Sequence, residues 1–435
     1  MKEYHFKAYL LASAGTVLIA ASVSAETTSS VSGPTDQGQA TSFSIDEIVV
    51  TAQRVKESLS KTPVAVSVIS SEAMAAAQIV SEQDLQSSVP GLQARGTVNS
   101  EQLNYTLRGQ SVDAFSGVRP GVLPYLNEVQ IGGAGTSSAF YDLQSVQVLK
   151  GPQGILFGRS ATGGAVLFST QKPTDTFGGY VQGTAGNYSA GQFEGAVNMP
   201  IVKDKVLLRV AGFYQRHDDY QRNLYYGRDA GTEREGARVS LTVNFSAKLY
   251  NELVLDYLYS HGDAMGAVLS GLLPSAILPL SSLYAGTATP AATATGIATL
   301  QAFTGLSTAA ATAQYNAYFA DPKHFPAGIT AFLALQKARG PYTVDFNKQD
   351  AYRNNNAIVT NATTFELNDD TKIKNIFGYT HLVNRLHSDT DATPYALAEA
   401  GPAGQLTTTH QLSEEVQLLG DALNQRLHYV AGLYF

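Results

Sequence analysis

Tyr141-Asp-Leu-Gln-Ser-Val-Gln-Val-Leu-Lys150, running into Gly151-Pro-Gln-Gly-Ile-Leu-Phe-Gly-Arg-Ser160 and Ala161-Thr-Gly-Gly-Ala165, decides the fold. It reads as a strand ending at Lys150, a glycine-rich turn, a short turn or helix over 158–162, and a second strand over 165–170. Glycines at 151, 154, 158, 163 and 164 permit backbone geometries or close approaches that a side chain forbids. A phosphate-binding loop is the rival reading, because glycines between a strand and a helix can cradle an anion. It fails: no Gly-Lys-Ser/Thr follows, and no Gly-x-Gly-x-x-Gly opens a helix. The run shapes backbone and supplies no catalytic group.

The run closely resembles the end of the plug domain in TonB-dependent receptors, where Asp-Leu, Val-x-Val-Leu, Gly-Pro-Gln-Gly and Gly-Arg-x-Ala-Thr-Gly-Gly-Ala occur in the same order. Leu107-Arg108-Gly109 and Val89-Pro90-Gly91-Leu92 resemble earlier plug motifs, and Thr62-Pro63-Val64-Ala65-Val66-Ser67-Val68 resembles the first plug strand. Carried over residue by residue, the structural plug motif is Arg108, Gly109, Gly151, Pro152, Gly154, Gly158, Arg159, Gly163 and Gly164. Arg108 and Arg159 are expected to make structural ion pairs with the wall rather than to bind ligand, because buried arginines are usually paired. Tyr125-Leu-Asn-Glu-Val129 departs from the usual Tyr-x-Asp-Gly-Val, and the lost glycine argues against the usual tight turn.

Upstream, Lys2 and Lys7 precede an apolar stretch over 8–23 and then Val23-Ser-Ala25. That is the pattern of a secretory signal cleaved after Ala25, too short and too rich in alanine and serine for a membrane anchor. Residues 26–44, rich in Ser, Thr, Gly and Gln, read as a flexible periplasmic tether. Ile45-Asp-Glu-Ile-Val-Val-Thr-Ala52 then has strand character, and a β-prone segment on a loose arm can add itself to the edge of a partner's sheet. Taken alone these eight residues fit an ordinary first strand. Ahead of a plug they resemble a TonB box, with Asp46, Glu47, Ile48, Val49, Val50, Thr51 and Ala52 as the TonB contacts. The interval between cleavage and box is too short for an extra signalling domain.

From about Phe177 onward the dominant signal is period-two alternation. Ala237, Val239, Leu241, Val243 and Phe245 alternate with Arg238, Ser240, Thr242, Asn244 and Ser246. Leu253, Leu255, Tyr257 and Tyr259 oppose Glu252, Asp256 and Ser260, and Leu427, Tyr429, Ala431, Leu433 and Phe435 oppose Arg426, His428 and Gly432. One side suits lipid and the other a wet lumen. Short polar connections at 200–205, 246–251, 368–371 and 420–425 face long ones at 217–233, 262–350 and 386–405, the asymmetry of outer-membrane barrels. This yields about nine strands. The 262–350 link is expected to be an extracellular loop, since Gly271, Pro274 and Pro279 interrupt its apolar start, with a short helix within 327–338.

The expected fold is therefore mainly β: a small mixed α/β plug over 53–175, then antiparallel transmembrane barrel strands over 176–435. A plug-holding barrel of this family has about 22 strands, whereas side chains nearly fill one of about nine. The expectation is a chain that stops in mid-barrel; a natural barrel end at Tyr429 to Phe435 would leave an edge that lipid cannot satisfy.

Composition narrows function. The 435 residues carry a net charge of −7 with 15% charged residues and no basic tract, which argues against nucleic acid. Cysteine is absent, so neither disulfides nor thiolate metal sites exist; tryptophan is absent too, leaving the 23 tyrosines to form the interfacial belt. Adjacent acids at Asp218-Asp219 and Glu414-Glu415 point to opposite faces of a strand and make no catalytic pair. His381 and His387 share a strand face without an evident third ligand, and no Gly-x-Ser-x-Gly elbow occurs. No enzymatic activity, cofactor or resident metal is expected.

The resemblance implies active import across the outer membrane of a Gram-negative bacterium. A scarce small molecule, a ferric siderophore first, binds at the outer face, and TonB engages the box across the periplasm. Outer-membrane lipid and the barrel assembly machinery are the other implied partners. Candidate ligand contacts are Gly132, Gly133, Ala134, Gly135, Thr136, Ser137 and Ser138, where relatives carry an apical plug loop. The alternatives are a truncated, non-transporting binding or adhesion protein and, less well supported, a passive porin or an outer-membrane hydrolase; a porin would lack both box and plug.

Overall fold

The computed structural model describes residues 49–50, 57–58, 62, 64–96, 102–111, 120–131, 140–154, 161–224, 231–263, 266–271, 297–298, 301, 305–320, 329–345, 351–389, 392–393, 405–424 and 426–435. The proposed signal and tether fall outside them.

Alternation builds the larger part. Nine antiparallel strands follow one another: β10 (Gly178–Ala185), β11 (Gly191–Val202), β12 (Val206–Asp218), β14 (Gly231–Asn244), β15 (Leu249–Gly262), β17 (Ala351–Asn368), β18 (Thr371–His387), β19 (Gln405–Ala422) and β20 (Leu427–Tyr434). The four expected short connections lie between β11 and β12, β14 and β15, β17 and β18, and β19 and β20; the long ones all lie at the opposite end. One face is polar and buried, with Asn198, Arg238, Ser240, Asp256, Asn354, Thr380 and Gln417 each at most 4% exposed. The other is apolar and open: Val181 is 87% exposed, Phe193 64% and Leu255 44%. A soluble sheet buries its apolar side, so this inversion is the pattern of a wall between lipid and a filled lumen.

The smaller part is mixed α/β. A five-stranded sheet has the order β3 (Val66–Ser70), β8 (Leu143–Lys150), β9 (Gly164–Thr170), β6 (Val122–Leu126), β7 (Val129–Gln130), with β6 and β9 parallel and the other pairs antiparallel. The hairpin β4 (Leu92–Gly96) and β5 (Leu103–Leu107) stands beside it. Helix α1 (Ser71–Ala76) starts where the Ser70 hydroxyl accepts from the Ala73 N–H at 3.2 Å. Its Met74 joins Leu85 of α2 (Leu85–Ser88), Leu107, Val122, Leu126, Val146, Val148 and Phe168 in one buried core. Five of the eight residues of β8 and six of the seven of β9 are buried, so this pair forms the middle of the plug sheet.

The long link beyond β15 holds two helices, α3 (Thr308–Ala320) and α4 (Ile329–Arg339). Helix α4 falls where a helix is expected; α3 is new, formed by an alanine-rich run of high helix propensity. No described helix is long and apolar enough to cross a membrane. Two long links are also stitched together. Strand β13 (Arg222–Asn223) pairs in parallel with β16 (Thr343–Val344), and the Gln221 amide donates to the carbonyls of Gly266 and Pro341 at 3.2 and 3.0 Å.

Candidate functional site: the seat of the plug in the wall

The glycine-rich run closes on itself through the backbone. The N–H of Gly151, at φ +112°, donates to Gly163 O at 3.0 Å, Gln153 N to Ala161 O at 2.8 Å, and Gly163 N to Gly121 O at 2.8 Å. A side chain at Gly164, φ +149°, would run into Leu149 O and Leu107, whereas one at Gly154 would meet nothing within 4 Å. Pro152, after Gly151, stands in the same turn. Arg108 and Gly109 form the turn after β5, both at positive φ, and Arg108 N donates to Gly91 O at 2.9 Å. The Arg108 side chain is exposed, so the described residues show a backbone anchor there rather than the expected buried ion pair. Gly158 and Arg159 lie outside the described residues.

The tight turn that the sequence argued against is present. Leu126 pairs with Val129, and Asn127 and Glu128 bridge β6 and β7 at φ +45° and +73°, the signs of a two-residue hairpin turn. The Asn127 side chain compensates by clamping β9: its Oδ1 accepts from Thr170 N at 3.0 Å, and its Nδ2 donates to Thr170 Oγ1 at 3.0 Å. Glu128 forms an ion pair with Lys374 of β18. Next to it, Val129 lies where a Cβ on Gly378 would stand, and Gln411 Nε2 donates to Gln130 O at 2.7 Å. Three consecutive residues thus each grip β18 or β19.

A second seat forms at the start of the deciding run. Asp142 takes φ +48°, which presents the Tyr141 carbonyl to Arg238 Nη1 at 2.7 Å. The Arg238 guanidinium lies over the Tyr141 ring at 4.3 Å and donates from Nε to Asp256 Oδ1 at 2.9 Å. Tyr141 donates its hydroxyl to the same Asp256 oxygen at 3.2 Å and packs on Phe213 with ring centroids 4.6 Å apart. Asp142 accepts from Arg209 Nε at 2.9 Å and from the Tyr180 hydroxyl at 3.3 Å. Burial, reinforced by the Asp256 charge, pushes the Tyr141 hydroxyl far above its ordinary pKa, so it stays a donor. Deeper in the plug, burial and then Glu82 raise Tyr105 in the same way, and Tyr105 donates to Glu82.

Sequence reasoning missed this seat. Tyr141 and Asp142 stand in the motif run and Arg238 and Asp256 in an alternation, with nothing local to pair them, and Arg209 is not singled out at all. The signal was a charge at a lumen-facing position directly opposite its counter-charge, Arg238 across from Asp256. The other expected sites do not come together with it. Val49 and Val50 form β1 (Val49–Val50), paired with β2 (Glu57–Ser58), and the rest of the TonB box lies outside the described residues, as does the candidate ligand loop at 132–138. His381 stacks on His410 of β19 at 4.4 Å on the open face, and no described group of three or more His, Asp or Glu could hold a metal.

Comparison with known proteins agrees with this arrangement. Residues 58–165 match the family model of the TonB-dependent receptor plug domain. The pesticin receptor of Yersinia pestis is 33% identical over 136 residues, 31% of this chain and 20% of that protein. The ferripyoverdine receptor of Pseudomonas aeruginosa is 26% identical over 186 residues, 41% of this chain and 22% of that one. Among solved structures, the ferric yersiniabactin uptake receptor of Yersinia pestis superposes with a TM-score of 0.60 at 17% identity, covering 85% of this chain and 48% of that one. The Pseudomonas aeruginosa ferripyoverdine receptor of the outer membrane gives 0.61 at 15% identity, covering 89% and 44%. The chain therefore spans under half of each of these two solved receptors and under a quarter of the other two relatives, all of them receptors rather than enzymes. Residues 58–165 therefore carry the plug domain of TonB-dependent receptors, seated in a wall whose fold is that of the solved receptors.

Proposed function

We propose that the chain supplies the plug and part of the barrel wall of an outer-membrane transporter that binds a scarce ligand, a ferric siderophore first, and imports it with energy delivered by TonB. The observation that carries this reading is the seat itself. A mixed α/β domain is fastened through Tyr141 and Asp142 to the polar face of a sheet whose other face is apolar and open. Such a wall faces lipid outside and holds a removable stopper inside. The receptors it resembles include ones named for ferric yersiniabactin, ferripyoverdine and ferrioxamine B.

In this reading the domains run as a signal over 1–25, a tether over 26–44, the box over 45–52, the plug over 53–175 and wall strands over 176–435. Asp46 to Ala52 add as a strand to TonB, and main-chain hydrogen bonds supply the affinity. That requires β1 to leave β2, a ladder of only two residue pairs. The loop at 132–138 meets the ligand from the plug side. No bond of the ligand is made or broken; energy goes into moving the plug. The test is uptake of radioactive iron by iron-starved cells expressing the receptor. Uptake is expected to stop on deletion of 46–52, on loss of TonB, and on collapse of the proton gradient. Uptake that continues after all three would overturn active transport in favour of passive passage.

A further inference from the structure

The outward face of the wall has levels of its own. Phe365 of β17 and Ile373 of β18 stand opposite each other next to the short connection between these strands, and Phe365 is 44% exposed. Twelve residues higher on each strand stand Arg353 and Arg385, again directly opposite. Each is exposed and set between buried neighbours, Tyr352 and Asn354 on one strand and Asn384 and Leu386 on the other, so both side chains leave from the open face and not from the lumen. Twelve residues span roughly 40 Å of strand. At the usual tilt that is about 30 Å of height, against about 25 Å for the apolar band of such a wall. The pair thus stands just beyond the outer edge of the band, where Tyr214 and Tyr257, 37% and 46% exposed, lie two and four residues lower in the register.

Two cations set face to face call for an anion. Opposed residues on antiparallel strands have Cβ atoms roughly 5 Å apart, and like charges there weaken the pairing. The row does not relieve them. Beyond Arg353 its next member is His261, and beyond Arg385 it is Leu406. Glu233, one strand further on, is already held by His261, Oε2 to Nε2 at 3.3 Å, and has Arg216 on its other side.

Resting on the outer-membrane reading above, we infer that Arg353 and Arg385 clamp the phosphate of an outer-leaflet lipid whose acyl chains lie against the apolar face below. A guanidinium presents a planar fork to phosphate, and two forks from adjacent strands can close on one headgroup together. Ala357, Val359 and Val383 stand lower on the same outward face, along the path of the chains. A soluble anion has no use for cations continuous with an apolar surface. The site faces away from the lumen, so it takes no part in binding an imported ligand.

The experiment titrates the full chain, extracted in detergent, with lipid A, a doubly phosphorylated and acylated disaccharide, and with its dephosphorylated form, and reads the mass of the intact complex. The phosphorylated form is expected to bind at least about tenfold more tightly, the worth of one charge-assisted hydrogen bond. Arg353→Gln with Arg385→Gln should abolish that preference and leave binding of the dephosphorylated form unchanged, whereas Arg216→Gln should leave the preference intact. Because the two cations repel each other, Arg385→Gln alone should raise the thermal midpoint in lipid-free detergent, a result a merely structural role would not give. Equal binding of the two forms by the unaltered protein overturns the inference, and so does a preference that survives the double substitution or a midpoint that falls. Inorganic diphosphate that displaces lipid A at equal concentration overturns the lipid in favour of a free anion. These outcomes leave the outer-membrane reading standing. That reading falls separately, if the protein stays dispersed in water once detergent is removed.

Discussion

The two seats of the plug solve the same problem with different physics. At Tyr141 and Asp142 the plug is held by a desolvated cluster: the ion pair that crosses from plug to wall, Asp142 with Arg209, has side chains 2% and 12% exposed, and the Tyr141 ring lies under the guanidinium of Arg238, itself paired with Asp256 within the wall. At Glu128 to Gln130 it is held by shape and reach: an ion pair whose side chains are 17% and 25% exposed, a hydrogen bond to backbone, and a valine set against a glycine. Buried charges are costly to separate because each alone has no solvent to return to, whereas more exposed ones regain water at smaller cost. The first seat is therefore a hinge post and the second a catch. A stopper moved by a pulling partner is expected to let go at the catch first.

The comparison can be broken most forcefully at Arg238. Arg238→Met leaves Asp256 buried without its cation and should cost about 3–5 kcal/mol, read as a lower thermal midpoint of the extracted protein. Adding Asp256→Leu should recover most of the loss, since a buried pair replaced by apolar groups is close to neutral. At the catch, Gly378→Val places a side chain where Val129 already stands and should cost about 1–3 kcal/mol. Here the sharper readout is faster trypsin cleavage near 128–130 with the Tyr141 region still protected. Glu128→Gly should change stability by less than about 1 kcal/mol, because relief of a positive φ offsets a partly exposed ion pair. A loss as large as that for Arg238→Met would abolish the distinction between post and catch.

The smallest effect is one of pH. Tyr141 has its folded pKa raised above the ordinary value of 10.0, so its contribution is fully present below pH 10 and is lost as pH rises through the folded value. The hinge post should weaken only in strong alkali, and Tyr141→Phe should flatten that part of the curve while lowering stability at neutral pH. Denaturation followed from pH 7 to 12 checks both.

Much of this was legible in the sequence, and the reason is locality. Alternation in β14 and β15 is a nearest-neighbour pattern, and short turns at one end against long links at the other need no knowledge of what pairs with what. The glycine-rich run and strands β8 and β9 were legible for the same reason. The seats were not, because their partners are distant in the chain: Tyr141 and Asp256 are 115 residues apart, Gln130 and Gln411 281. The turn at Asn127 and Glu128 is not legible from residue type alone. What stabilises a left-handed asparagine there is its clamp on Thr170, 43 residues away. Arg108, expected in an ion pair, proved to be placed by backbone.

The parallel stitch between β13 and β16 carries a consequence for how such receptors diversify. The outer segments after β12 and after β15 share one hydrogen-bonded seam, with Gln221 reaching across it to Gly266 and Pro341. They are one exchangeable part encoded in two places. A graft of either segment alone from another protein would strand half a seam, whereas a graft of both would carry the seam whole onto an unchanged wall.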